Sequence, residues 1–141
     1  MAGARLGFGV GQASLINDLN TVKYSTNPYN INRLTMAAGL GTLADEAYTR
    51  VNCQTVMATR RWTTDALRRL GFEVADSQTN FVFAKHPAAD GERLYKALKE
   101  RGILVRHFAV PRIAAYIRIT IGSETEMQAL IGALREIMEE C

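Results

Sequence analysis

Cysteine is scarce. Cys53 and Cys141 are the only two, and their separation matches neither a metal-binding nor a redox spacing. Proline occurs three times and no low-complexity tract is present, so little of the chain reads as linker. No run of about 18 apolar residues occurs, which excludes a membrane-spanning helix. The start, Met-Ala-Gly-Ala-Arg, is not followed by the apolar stretch of a secretory signal, so a reduced, cytoplasmic protein is expected. Arg60, Arg61, Arg68, Arg69, Arg101, Arg106 and Arg112 are scattered, and no block of five basic residues forms. Solvated surface, not a nucleic-acid tract, is the reading of these arginines. The two histidines, His86 and His107, fall at strand ends without a neighbouring cysteine or matched carboxylate. Surface histidines are expected there, and no metal site. No serine nucleophile elbow is found, and Lys23, Lys85, Lys96 and Lys99 are placed like surface lysines.

What is present is ordinary globular material. Lysine plus arginine is 17 and aspartate plus glutamate 14, a net charge of +3, with 48% hydrophobic residues. Such composition excludes wholesale disorder and lets 141 residues bury a sizeable core. Arg5 to Gly11 is a short apolar run with glycine at every second position, and a strand is expected. Leu15, Ile16, Leu19 and Val22 then recur at helical spacing. Tyr24 to Asn30 has loop chemistry, and Asn30 is placed to cap a helix carrying Ile31, Leu34 and Ala38. A long helix is predicted from near Asp45, with Tyr48, Val51, Thr55, Ala58, Trp62, Ala66 and Leu70 on one stripe and Gly71 ending it. Strands follow at Phe72 to Ala75, Asn80 to Lys85 and Ile103 to Arg106. A helix started by Asp90 and closed by Gly102 separates the last two.

The final elements carry the clearest patterns. Tyr116 to Ile121 alternates strictly, with three isoleucines on one side and Tyr116, Arg118 and Thr120 on the other. Ser123 and Glu126 form a capping box, followed by the helical face of Met127, Leu130, Ile131, Leu134, Ile137 and Met138. The expected fold class is α+β: a small mixed sheet covered by helices, preceded by a strand and helices.

Few residues offer chemistry. Gly7, Gly9 and Gly11 approach a dinucleotide fingerprint, but the third glycine is misplaced and no acidic residue closes the unit. Arg5, Gly7, Phe8 and Gly9 approach an RNA-recognition strand but lack its second aromatic. Phe81 and Phe83 alternate and could stack bases, although paired strand aromatics are more often core. Arg118 stands apart, because a guanidinium in mid-strand between isoleucines needs a partner. Two partners remain open: an Asp or Glu of the same domain, or a ligand carboxylate held in a bidentate fork.

Several segments together carry a resemblance. Ala2-Gly3-Ala4-Arg5-Leu6-Gly7-Phe8, Ser77-Gln78-Thr79-Asn80-Phe81-Val82-Phe83, Gly102 to Phe108, Pro111-Arg112-Ile113 and Tyr116 to Gly122 resemble, in order, segments of fold-type I pyridoxal-phosphate aminotransferases. They are most similar to the branch acting on histidinol phosphate. The resemblance implies residues 1–44 as the last segment of a large cofactor-binding domain, 45–71 as an interdomain helix and 72–141 as the small α+β domain. It implies Arg5 as a ligand of the cofactor's phosphate and Arg118 as the clamp on a substrate α-carboxylate. It places the Schiff-base lysine before the Ala-Gly-x-Arg motif, so no catalytic residue is expected in this chain and the chain alone is expected to be inactive and to bind no pyridoxal phosphate. For the parent enzyme it implies amino transfer between histidinol phosphate, or its keto form, and glutamate or 2-oxoglutarate. A homodimer or self-association is expected, with the Tyr24 to Asn30 loop near the neighbouring subunit. No nucleic-acid or membrane partner is expected. The alternatives are a related class I/II aminotransferase, a threonine-phosphate decarboxylase, or a non-catalytic α+β ligand-binding or dimerisation module.

Overall fold

Two aspartates, an asparagine and a serine set most of the helix starts. In the computed structural model, which describes residues 1 and 3–140, the chain divides into two units, Met1–Val51 and Asn52–Cys141. Ala2 of the first motif and Cys141 lie outside the described residues.

The first unit opens with a turn over residues 3–5 and continues as irregular chain to Gln12, where a strand was expected from Arg5 to Gly11. Alternating apolar residues make a strand only beside another strand, and no described strand pairs with them. Helix α1 (Ala13–Thr26) follows, and then α2 (Arg33–Ala44). The cap of α2 is Asn32, whose side chain accepts from Thr35 N at 2.8 Å, two residues later than the expected Asn30. Asp45 ends α2 and caps the next helix, accepting from Tyr48 N at 2.9 Å. That helix, α3 (Glu46–Arg69), crosses the boundary between the units.

In the second unit the buried residues of α3 are Thr63, Ala66 and Leu67. The predicted stripe therefore holds only at its end: Tyr48 and Val51 are exposed, while Ala66 is buried. Gly71 leaves α3 at φ +88, and Phe72 N bonds back to Leu67 O at 3.1 Å. This six-to-one closure needs the left-handed conformation that glycine adopts without strain. Gly102, φ +76, closes α4 (Gly91–Glu100) in the same way, with Ile103 N on Leu98 O at 2.9 Å.

Strands β1 (Glu73–Val74), β2 (Phe81–Lys85), β3 (Arg106–His107) and β4 (Ile117–Thr120) form one sheet in the order β1-β2-β4-β3. Every pairing is antiparallel, so the sheet is not mixed. The expected strand at Ile103 to Arg106 is shorter and later, because the ladder to β4 begins only at Arg106. Val82, Ala84, Ile117 and Ile119 point to one face and are fully buried with Leu94, Leu98, Leu130 and Leu134 of α4 and α5 (Glu124–Glu139). This is the core of an α+β layer, helices on one face of an antiparallel sheet.

The capping box of α5 is complete. Glu126 N donates to Ser123 Oγ at 3.3 Å, and Ser123 N and Oγ donate to Glu126 Oε2 at 2.7 and 2.8 Å. These bonds, the backbone donor foremost, hold the Glu126 carboxyl below its ordinary value of 4.5. A carboxyl lowered in the folded state stabilises above its unfolded value, and that contribution disappears as pH falls through the folded value. Thermal melts from neutral pH to about pH 3 should therefore show a steeper acid loss for the wild type than for Glu126→Gln. Identical pH dependence in the two proteins would refute it.

Candidate substrate-carboxylate face

A strand that buries one face must show the other. Because Ile117 and Ile119 are buried, Tyr116, Arg118 and Thr120 lie on the opposite face of β4. The same alternation on β2 puts Phe81, Phe83 and Lys85 there. The two phenylalanines are therefore half-buried on the uncovered face and are not core residues. In the ladder Arg118 stands opposite Phe83 on one side and opposite Arg106 on the other.

Aromatic rings make the floor and wall of this face. Phe83 stacks on Tyr116 with centroids 4.6 Å apart at 7°, and meets Phe108 edge-on at 6.4 Å. The Arg118 guanidinium lies 5.3 Å from the Phe81 centroid and 5.8 Å from that of Phe108. Arg106 lies 5.3 Å from Phe108, so one ring serves two cations. Rings of this kind attract a guanidinium by about 0.5–2 kcal/mol and hold it flat.

The charges do not balance. Lys85 is committed to Glu73 at 2.9 Å, and the hydrogen bond and charge of Glu73 raise its pKa. Arg118 has no carboxylate within salt-bridge distance among the described residues. Its Nε is buried and without a hydrogen-bond partner. Leaving a buried donor unpaired costs about 1–3 kcal/mol, and a like charge directly opposite, here Arg106, adds to that cost. An anion with oxygens in a plane would satisfy both arginines, and a carboxylate matches the fork geometry of Arg118.

In the sequence Arg106 is one of several scattered arginines, and only the β3–β4 register brings it opposite Arg118. The histidines also differ from expectation. Both are half-buried and bonded to carbonyls, His86 Nε2 to Leu70 O at 3.2 Å and His107 Nε2 to Ala114 O at 2.8 Å. Arg5 lies in the other unit. It is exposed, has no ion-pair partner among the described residues, and adopts φ +58, a left-handed backbone uncommon outside glycine. No cluster of metal-ligating side chains occurs among the described residues, and no helix there is long and apolar enough to cross a membrane.

Known proteins share this sequence and layout. The family model for aminotransferase class I and II matches residues 1–134. Histidinol-phosphate aminotransferase 2 of Dechloromonas aromatica is 50% identical over 137 residues, covering 97% of this chain and 38% of that protein. The enzyme of the same name from Thiobacillus denitrificans is 49% identical over 138 residues, covering 97% of this chain and 39% of that one. The chain thus spans under two-fifths of the length of either relative. The histidinol-phosphate aminotransferase of Sinorhizobium meliloti, solved in complex with pyridoxal-5'-phosphate, shares the fold at a TM-score of 0.77 and 24% identity, over 99% of this chain and 38% of that one. A match to the family model over nearly the whole chain, with half the residues identical to named members, leaves one assignment: the chain belongs to the class I and II aminotransferases.

Proposed function

We propose that this chain supplies the substrate-carboxylate arm of a pyridoxal-phosphate aminotransferase acting on histidinol phosphate and glutamate, or their keto forms. The observation that carries the reading is the buried, unpartnered Nε of Arg118 on a face with a second arginine opposite and, among the described residues, no carboxylate within salt-bridge distance. Arg118 would grip the carboxylate of glutamate or 2-oxoglutarate through its fork, with Phe81 and Phe108 fixing the guanidinium plane. Arg5, exposed and without an ion-pair partner among the described residues, fits the phosphate of the cofactor. Pyridoxal phosphate, when bound, supplies the electron sink for amino transfer. The chain's own part is to bind and orient the acid. A second copy of the chain is the partner we assign to the apolar surface of the first unit.

The test is a chimera in which this chain replaces the matching 38% of the Dechloromonas aromatica protein. It should transfer the amino group of histidinol phosphate to 2-oxoglutarate. The 141-residue chain alone should not. A folded chimera without turnover, or turnover by the chain alone, would overturn the reading.

A further inference from the structure

His107 sits beneath the face just described. Its neighbour Arg106 points to the aromatic side, while His107 stands opposite buried Ile117 in the ladder. Its ring stacks against Tyr95 of α4, with centroids 6.2 Å apart at 27°. Its Nε2 is 2.8 Å from Ala114 O, at the far end of the loop that leaves β3 and returns to β4. A carbonyl oxygen only accepts, so Nε2 carries the proton and donates. Two turn bonds also hold the loop, Ile113 N to Val110 O at 2.9 Å and Tyr116 N to Ile113 O at 3.0 Å. It is also pressed from below. Gly91, buried at the start of α4, leaves no room for a side chain: a Cβ there would collide with Ala114 O and lie 2.9 Å from Ala115 O. The first residue of the loop is Phe108, the ring shared by Arg106 and Arg118.

We propose that His107 is a positioning residue whose bond to Ala114 O closes the 108–116 loop and so sets Phe108 against Arg118. Its consequence for carboxylate binding rests on the functional reading above; the placement of Phe108 does not. The bond spans the loop from one end to the other. Losing it frees the segment that carries Phe108, and the Arg118 guanidinium then keeps only Phe81 as a guide.

Nuclear magnetic resonance of the full chain tests this. The wild type should show nuclear Overhauser contacts between the Arg118 side chain and the Phe108 ring, and a ring-current shift of the Arg118 Nε–H. His107→Phe keeps an aromatic against Tyr95 but removes the donor, and both signals should vanish. His107→Gln keeps a donor and should retain them. Gly91→Ala, which pushes the loop from the other side, should act like His107→Phe. In a titration with glutarate, followed at Arg118 Nε–H, His107→Phe should bind about three- to tenfold more weakly, the effect of one hydrogen bond. Unchanged Arg118–Phe108 contacts in His107→Phe would overturn the proposal. Collapse of the Val82, Leu94 and Ile119 methyl signals would also overturn it, because His107 would then be packing the core. A wild type whose Arg118 ignores glutarate would overturn the carboxylate reading alone, leaving the loop to be judged by the contacts.

Discussion

Arg118→Ala should leave the chain nearly as stable as before and disable carboxylate binding. The stability change should be under about 1 kcal/mol, because a charge without a fixed protein partner contributes little to folding. The variant loses two guanidinium–ring contacts but also removes an orphaned buried Nε and the like charge opposite Arg106. These effects oppose each other. In the chimera the same change should lower kcat/KM for glutamate roughly 30- to 5,000-fold, equivalent to about 2–5 kcal/mol, the usual cost of losing one side of a bidentate charge pair. Arg118→Lys should recover only part of it, since an ammonium offers charge without the planar fork. Denaturant melts and steady-state kinetics read the two halves separately. The opposite pattern, a loss of about 3–5 kcal/mol in stability with kinetics unchanged, is what an arginine paired inside the fold would give. It would remove Arg118 from the substrate site.

The parts of the structure that are legible in the sequence are those fixed by neighbours along the chain. Ser123 and Glu126 need only each other to start α5, and the apolar spacing behind them needs only a helix. Gly71 and Gly102 end helices through bonds that reach back no further than five residues. The alternation from Tyr116 to Ile121 already put Arg118 opposite the buried isoleucines. What was illegible depends on register between distant segments. Arg106 becomes a site residue only through pairing with Arg118, and nothing local distinguishes it from Arg101 or Arg112. The partner of His107 is a backbone carbonyl seven residues on, which no side-chain pattern announces. Arg5 to Gly11 has strand composition but no described strand beside it. On α3 the apolar stripe was continuous while burial was not, because only its last turns reach the core of the second unit. Phe81 and Phe83 were ambiguous for a further reason: alternation gives two faces without saying which one the helices cover.

The isolated chain should associate with itself as its concentration rises. In the first unit neither α1 nor α2 buries a single residue, although both are rich in apolar side chains. Phe8 is 85% exposed, Val10 90%, Leu34 83% and Leu43 72%, values normal for a lysine and costly for a leucine cluster. Some of these side chains lie together: Leu6, Phe8, Met36, Leu40 and Leu43 line one apolar concavity of about 260 Å³. Apolar surface removed from water is worth about 25 cal/mol per Å², and a stable pair needs about 800 Å² from each partner. Contiguous patches of this kind mark association surfaces more often than free ones. Light scattering over a dilution series should show mass rising with concentration, together with binding of a dye specific for exposed apolar surface. Leu40 and Leu43 are already solvent-exposed, so the double change Leu40→Glu, Leu43→Glu should cost little stability, about 0.5 kcal/mol each. It should nevertheless weaken association at least about tenfold, since two carboxylates would have to be desolvated in the contact. A wild type that stays monomeric at every concentration and binds no dye would show that these side chains find cover within the chain, and the assigned second copy would be wrong.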